Sequence, residues 1–173
     1  MSLDRRYPIG TMFEAIEGDI DYDAAVQSIA EFPRSLQLRF GDLTEEDLAL
    51  TYREDSWDIK TLIHHCADSH AHALLRIKWA LTEDTPAIKG YDEGPTATLA
   101  DYALDVQPTF GLLEGLHARL TAILKSLTPE ERQRTYLHTG HNREFSINET
   151  AAMYAWHGMH HLAHIEIALG ILK

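Results

Sequence analysis

The chain has 173 residues, 45% of them hydrophobic and 24% charged, and a formal net charge of −12. This composition excludes a disordered chain, and the length suits one compact domain, residues 1–173, with a core of ordinary size. The acidic balance and the scatter of the 15 Lys and Arg argue against a nucleic-acid or anionic-membrane surface.

The first helix is predicted over residues 21–40, where Ala25, Ile29, Phe32, Leu36 and Phe40 recur at three and four. Pro33 is expected to bend it or to begin its second half. The second helix is predicted over residues 58–83, with Asp58 as N-cap and one apolar stripe of Ile59, Leu62, Cys66, Ala73, Ile77 and Ala80. A long loop follows, "DTPAIKGYDEGPTATLADY", and loops of that length are often functional. The third helix runs from about residue 108 to 127, with Leu112, Leu113, Leu116, Leu120, Ile123 and Leu124 inward. The fourth begins at "SINE", where Ser146 and Glu149 form a capping box, and Gly170 is its natural stop. No strand pattern stands out. The fold class is therefore all-α: an up-down-up-down four-helix bundle with a long loop after the second helix.

A faint repeat runs through the chain. "LTEEDLALTYREDSWDI" (residues 43–59) matches "LTPEERQRTYLHTGHNREFSI" (residues 127–147) in Leu-Thr-x-Glu followed by Asp or Glu, in Thr-Tyr and in an aromatic two before an isoleucine. Each copy leads into a histidine-bearing helix, so the second and fourth helices are expected to be equivalent and to pack together.

Eleven histidines are the oddity of the composition. Four lie in "YAWHGMHHLAHIEIALG", as the i,i+4 pairs His157/His161 and His160/His164. Two imidazoles four apart share a helix face and can grip one metal ion. Helical phase puts His157 and His161 nearer the stripe of Tyr154, Gly158, Leu162, Ile165 and Leu169, and His160 and His164 further round. Of the second helix's His64, His65, His70 and His72, His65 lies on the edge best placed for a third ligand, while His70 falls within the stripe and reads as a core histidine. Three neutral imidazoles leave an open fourth position, the arrangement of catalytic rather than structural zinc. Imidazole also suits nickel, iron and copper, and the uncompensated charge favours an anionic fourth ligand.

The other candidates are weaker. Cys66, the lone cysteine, points toward the stripe and reads as a packed thiol; with no partner for a disulfide it fits a reducing cytoplasm. Asp92 and Glu93 form a polar lip or a solvated loop. Arg76 binds an anionic substrate group or lays its stem along the surface. "MSLDRRYPIG" carries no signal-peptide pattern, and no window reaches the length of a membrane span.

"RYPIG", "LIHHCADSHAHALLRIKWALTEDTPAIKGYDE" and "YAWHGMHHLAHI" together resemble the YfiT-like branch of the DinB-like superfamily over nearly the whole chain. The resemblance implies a four-helix bundle, usually a homodimer, with one divalent metal (zinc or nickel) per chain on His65, His157 and His161. His64, His160, His164 and Arg76 are left to support those ligands or to meet substrate. Members are described as metal-dependent hydrolases, and several relatives are S-transferases that use bacillithiol, mycothiol or glutathione. Gly90 departs from the family's "KPYDE", which puts the shape of the loop in question.

Three functions compete. The first is a metal-dependent hydrolase acting on a small molecule. The second is a metal-dependent transferase that aims a low-molecular-weight thiol of the bacillithiol type at small electrophiles. The third is a non-catalytic metal-binding stress protein. Hydrolysis needs a general base, and Asp68 and Glu166 on the ligand helices lie off the ligand direction. Thiol chemistry is slightly favoured on that ground.

Overall fold

The computed structural model describes residues 3–172. A short helix α1 (Met12–Glu17) opens with a Thr11–Glu14 capping box. Helix α2 (Tyr22–Phe40) starts at Asp21, whose side chain accepts from the Ala24 amide, and it runs through Pro33 as one element. A single turn α3 (Glu45–Leu48) leads to α4 (Ile59–Thr82), capped by Asp58 on the Thr61 amide at 2.8 Å. The expected long loop holds β1 (Ala87–Ile88) and the turn α5 (Glu93–Thr96) before α6 (Gln107–Ser126). Strands β2 (Thr135–His138) and β3 (Arg143–Ser146) precede α7 (Ile147–Ala168). The Ser146–Glu149 box is formed at its start, and Gly170, at φ +71°, follows its end.

The four long helices make the expected bundle. Helix α2 packs on α6 and α7, and α4 packs on the same two, so α2 and α4 face each other across the bundle. The small sheet was not expected. Strand β1 pairs parallel with β2, and β2 antiparallel with β3, with Tyr136 opposite Phe145. Strands of two and four residues are too short to carry a legible period of two. Their effect is positional, because β1 ties the long loop to the chain that leads into α7.

The repeat has a structural counterpart. Thr51 bridges Asp58, the cap of α4, and Thr135 pairs with Ser146, the cap of α7. In both copies an antiparallel contact delivers the capping residue of a histidine-bearing helix, and α4 and α7 do pack together.

The third helix turns the expected face inward except at Leu112, with Leu116 and Ile123 half-buried against the core. Leu113, His117, Leu120 and Leu124 are buried on α6, whereas Leu112 is 53% exposed. The buried row advances by four, three and four, and a histidine stands within it.

The apolar core is split into two clusters. On α2 the break falls between Ile29 and Phe32, on α4 between Ala67 and Ala73, on α6 between Leu113 and Leu120, and on α7 between Tyr154 and Leu162. His70, His117, His157 and His161 occupy those breaks. The sequence thus builds a polar layer across the middle of the bundle. Burial of that kind is tolerated only where each polar atom finds a partner.

Candidate metal centre

Two helices bring three imidazoles together. His65 Nε2 lies 3.1 Å from His157 Nε2, and His161 Nε2 lies 3.2 Å from the same atom. One nitrogen from each of the three lies within 4.8 Å of the others. His65 comes from α4, and one turn of α7 supplies the other two.

The protonation of these rings is set from outside the cluster. Pro33 has no N–H, so the Ile29 carbonyl four residues earlier lacks its helical donor. His117 Nδ1 fills that role at 2.6 Å. A carbonyl only accepts, so His117 carries its proton on Nδ1, and in the neutral ring Nε2 is a lone pair. His70 Nδ1, 2.6 Å away, must then donate, and His70 Nε2 must accept from His157 Nδ1 at 3.0 Å. His157 Nε2 is therefore left as a lone pair facing the cluster.

A second chain fixes His161. His164 Nε2 donates to the Arg6 carbonyl at 3.3 Å, so its Nδ1 accepts from His161 Nδ1 at 3.4 Å. His161 Nε2 is thus also a lone pair. Two lone pairs held 3.2 Å apart repel each other unless a cation lies between them. A tetrahedral ion 2.0–2.1 Å from each nitrogen would set them about 3.3 Å apart. The donor set fits a divalent metal. The third member, His65, meets the Tyr91 hydroxyl through Nδ1 at 3.3 Å, and the Tyr91 ring stacks on His72 at 4.4 Å. Partners on the far nitrogen fix a ligand's tautomer and orientation.

Burial keeps these rings uncharged. It pushes His65 down to about 4, and it pushes His157 and His161 well below the usual imidazole range, helped by neighbouring imidazoles. Their lone pairs are available at neutral pH without loss of a proton. Burial likewise takes His117 and His164 to about 4. An unfolded chain protonates such histidines near 6.5, whereas the native state does not until about 4. The unfolded state therefore binds more protons within that window. Stability of the metal-free protein should be intact above pH 6.5 and fall toward pH 4, by about 1.4 kcal/mol per pH unit for each such histidine. Urea midpoints at pH 7 and pH 5 test this, and equal midpoints would refute it.

The remaining histidines have other roles. His64 donates from Nε2 to the Leu104 carbonyl at 3.2 Å and meets the Thr109 hydroxyl at 2.8 Å, which ties α4 to α6. His160 lies between Trp156 and Tyr7, and its buried Nδ1 has no partner among the described residues. Cys66 is fully buried, and burial raises its thiol pKa. Asp68 accepts from the Tyr102 hydroxyl, and Glu166 pairs with Arg39, so neither serves the cluster.

A cavity of about 580 Å³ opens on His157 and is lined also by Arg76, Tyr91, Glu93, His138 and Tyr154. Asp92 and Glu93 form the expected polar lip: both line this cavity and both keep an exposed side, while partial burial raises the Glu93 carboxyl above the usual range against the pull of Arg76. A Cβ on Gly90 would stand 2.8 Å from the His138 ring. The departure from "KPYDE" is thus matched by an imidazole packed on the loop. His117 and Tyr91 were missed as site residues. The signal for His117 was a lone polar side chain within an apolar helical row. Tyr91 carried none, because its place depends on how the loop folds back.

Residues 29–165 match the DinB superfamily, and the chain belongs to that family. It is 44% identical to a protein of Halalkalibacterium halodurans named "putative metal-dependent hydrolase", over 96% of this chain and 98% of that one. A protein of the same name from Oceanobacillus iheyensis is 40% identical over 94% and 95%. The solved structure of YfiT from Bacillus subtilis, described as a probable metal-dependent hydrolase with an unusual four-helix bundle topology, superposes with a TM-score of 0.85. It is 31% identical and covers 97% of this chain and 95% of its own. No helix among the described residues is long and apolar enough to cross a membrane.

Proposed function

We propose that the protein is a metal-dependent hydrolase of small molecules, with His65, His157 and His161 holding one divalent ion, zinc or nickel. The observation that carries this reading is the pair of outward-locked tautomers, which aim two lone pairs at one point beside the cavity that His157 lines. The names of the relatives support it. Such an ion, when bound, polarises an ester or amide carbonyl and lowers the pKa of water.

The chain supplies the rest. Glu93 shares the cavity with His157, and its raised carboxyl pKa brings it closer to the range useful for a general base. It takes the proton of the attacking water and returns it to the departing alcohol or amine. Ester or amide plus water thus becomes acid plus alcohol or amine, with no other reactant. Tyr91 and His70 hold the ligand rings at their far nitrogens. Glu93→Gln should lower kcat by about 10²–10⁴-fold with metal content unchanged. Unchanged turnover would remove Glu93 from the mechanism.

The second reading, thiol transfer, draws on the neutral ligand set, which leaves the ion's charge to be balanced by a thiolate. Turnover with and without a cellular thiol, run in ¹⁸O-labelled water, separates the two. Solvent oxygen in the product without thiol supports the hydrolase. Strict thiol dependence with a thiol conjugate as product assigns the transferase.

A further inference from the structure

Arg76 is the one Lys, Arg, Asp or Glu among the described residues that is buried, at 6% exposure. Buried guanidinium groups are almost always paired with a carboxylate. Arg76 forms no ion pair among the described residues. Its Nη1 donates to the Tyr154 hydroxyl at 3.0 Å, while its buried Nε has no partner. On the Nε–Nη2 edge, the side of the fork that grips a carboxylate with two parallel bonds, Nε is thus a buried donor left unmet among the described residues. It belongs to a side chain that lines the 580 Å³ cavity beside His157.

The uncompensated charge registers on the neighbours. His138 is held at about 4 by burial and then by Arg76, and His72 is lowered by the same two causes in the same order. Glu93, which lines the same cavity, is an acidic candidate for a counter-ion, but burial raises its carboxyl more than Arg76 lowers it, which a tight pair would reverse. Asp92 and Glu93 on the loop side of the cavity disfavour a second negative group.

We propose that Arg76 is the seat of an anionic substrate group, so that the substrate is a small carboxylic acid or similar singly charged oxyanion. The inference rests on the cavity being the substrate site of the metal centre. The distances set the layout of the substrate. Arg76 holds Tyr154, and the Tyr154 ring lies 5.9 Å from the ring of His157. The anionic group thus sits one tyrosine ring away from the reacting end. The protein's net charge of −12 repels anions at long range, so selection arises from the buried fork alone.

The test compares two probes on cobalt-loaded protein: 3-mercaptopropionate and its uncharged analogue 3-mercapto-1-propanol, each followed by the sulfur-to-cobalt absorption band. The acid should bind roughly tenfold more tightly than the alcohol. Arg76→Gln should erase that preference and leave alcohol binding unchanged, and Arg76→Lys should keep part of it. No preference in the wild type, or one that survives in Arg76→Gln, overturns the inference. Propionate titrated into metal-free protein and followed by NMR is the second arm. Saturable binding that Arg76→Gln removes supports the seat, and its absence in the wild type overturns it. If neither thiol touches cobalt, the metal reading fails while the propionate arm still decides Arg76. The melting temperature of Arg76→Gln should equal or exceed that of the wild type, since an unpaired buried cation has been removed. A clear fall would make Arg76 a structural prop of Tyr154 and overturn the proposal.

Discussion

His157→Ala and His161→Ala proteins are expected to lose tight metal binding, while His160→Ala keeps it. Elemental analysis after loading with zinc or nickel measures this directly. The four histidines of α7 differ in which partners reach them. His157 and His161 each have one nitrogen committed outward, to His70 and His164, and the other turned to the cluster. His160 is packed between two aromatic rings and lies outside the group of three. His164 acts through His161, so His164→Ala should weaken binding by about 10–100-fold rather than abolish it. His65→Ala should resemble His157→Ala. Equal loss in all the α7 variants would show that crowding, not orientation, holds the ion.

The second large effect is expected far from the centre. His117→Leu should lower metal affinity by about 10–100-fold, although His117 touches no member of the cluster. Its loss leaves the Ile29 carbonyl without its side-chain donor and His70 Nδ1 without an acceptor. His70 is then free to turn its other tautomer toward His157, which would move the lone pair off the metal side. The orphaned buried groups should also cost about 1–3 kcal/mol of stability. Metal competition gives the affinity, and ¹⁵N shifts of the imidazoles report the His157 tautomer. His117→Gln, with a donor and an acceptor on one side chain, should restore part of both. Wild-type affinity in His117→Leu, with His157 still protonated on Nδ1, would show that the chain from Pro33 does not govern the site.

Much of the scaffold was legible before any coordinates, because it depends on neighbours in sequence. Helical periods, the Asp58 cap and the Ser146–Glu149 box are contacts over three or four residues, and each formed as read. The choice of His65, His157 and His161 as the converging set also came from phase on single helices together with the resemblance, and these three rings do meet. On α6 the expected inward face formed except at Leu112, which is exposed, because leucines surround that helix and periodicity alone does not choose among them. The three short strands lay below the length at which alternation registers.

What a linear chain could not express was who meets whom across the bundle. Pro33 announced a missing amide, but only packing decided that His117, 84 positions later in the chain, would answer the carbonyl it leaves free. The same holds for the cavity. Glu93 and Arg76 are ordinary charged residues in sequence, one in a loop and one on a helix. The loop's return along β2 brings the first to the cavity rim, and the absence of a carboxylate partner among the described residues makes the second an unpaired buried cation. Local propensity and phase are set by bonds along the chain. Tautomers, desolvation and unmet hydrogen bonds are set by atoms that are distant in sequence and adjacent in space, and those decide the chemistry.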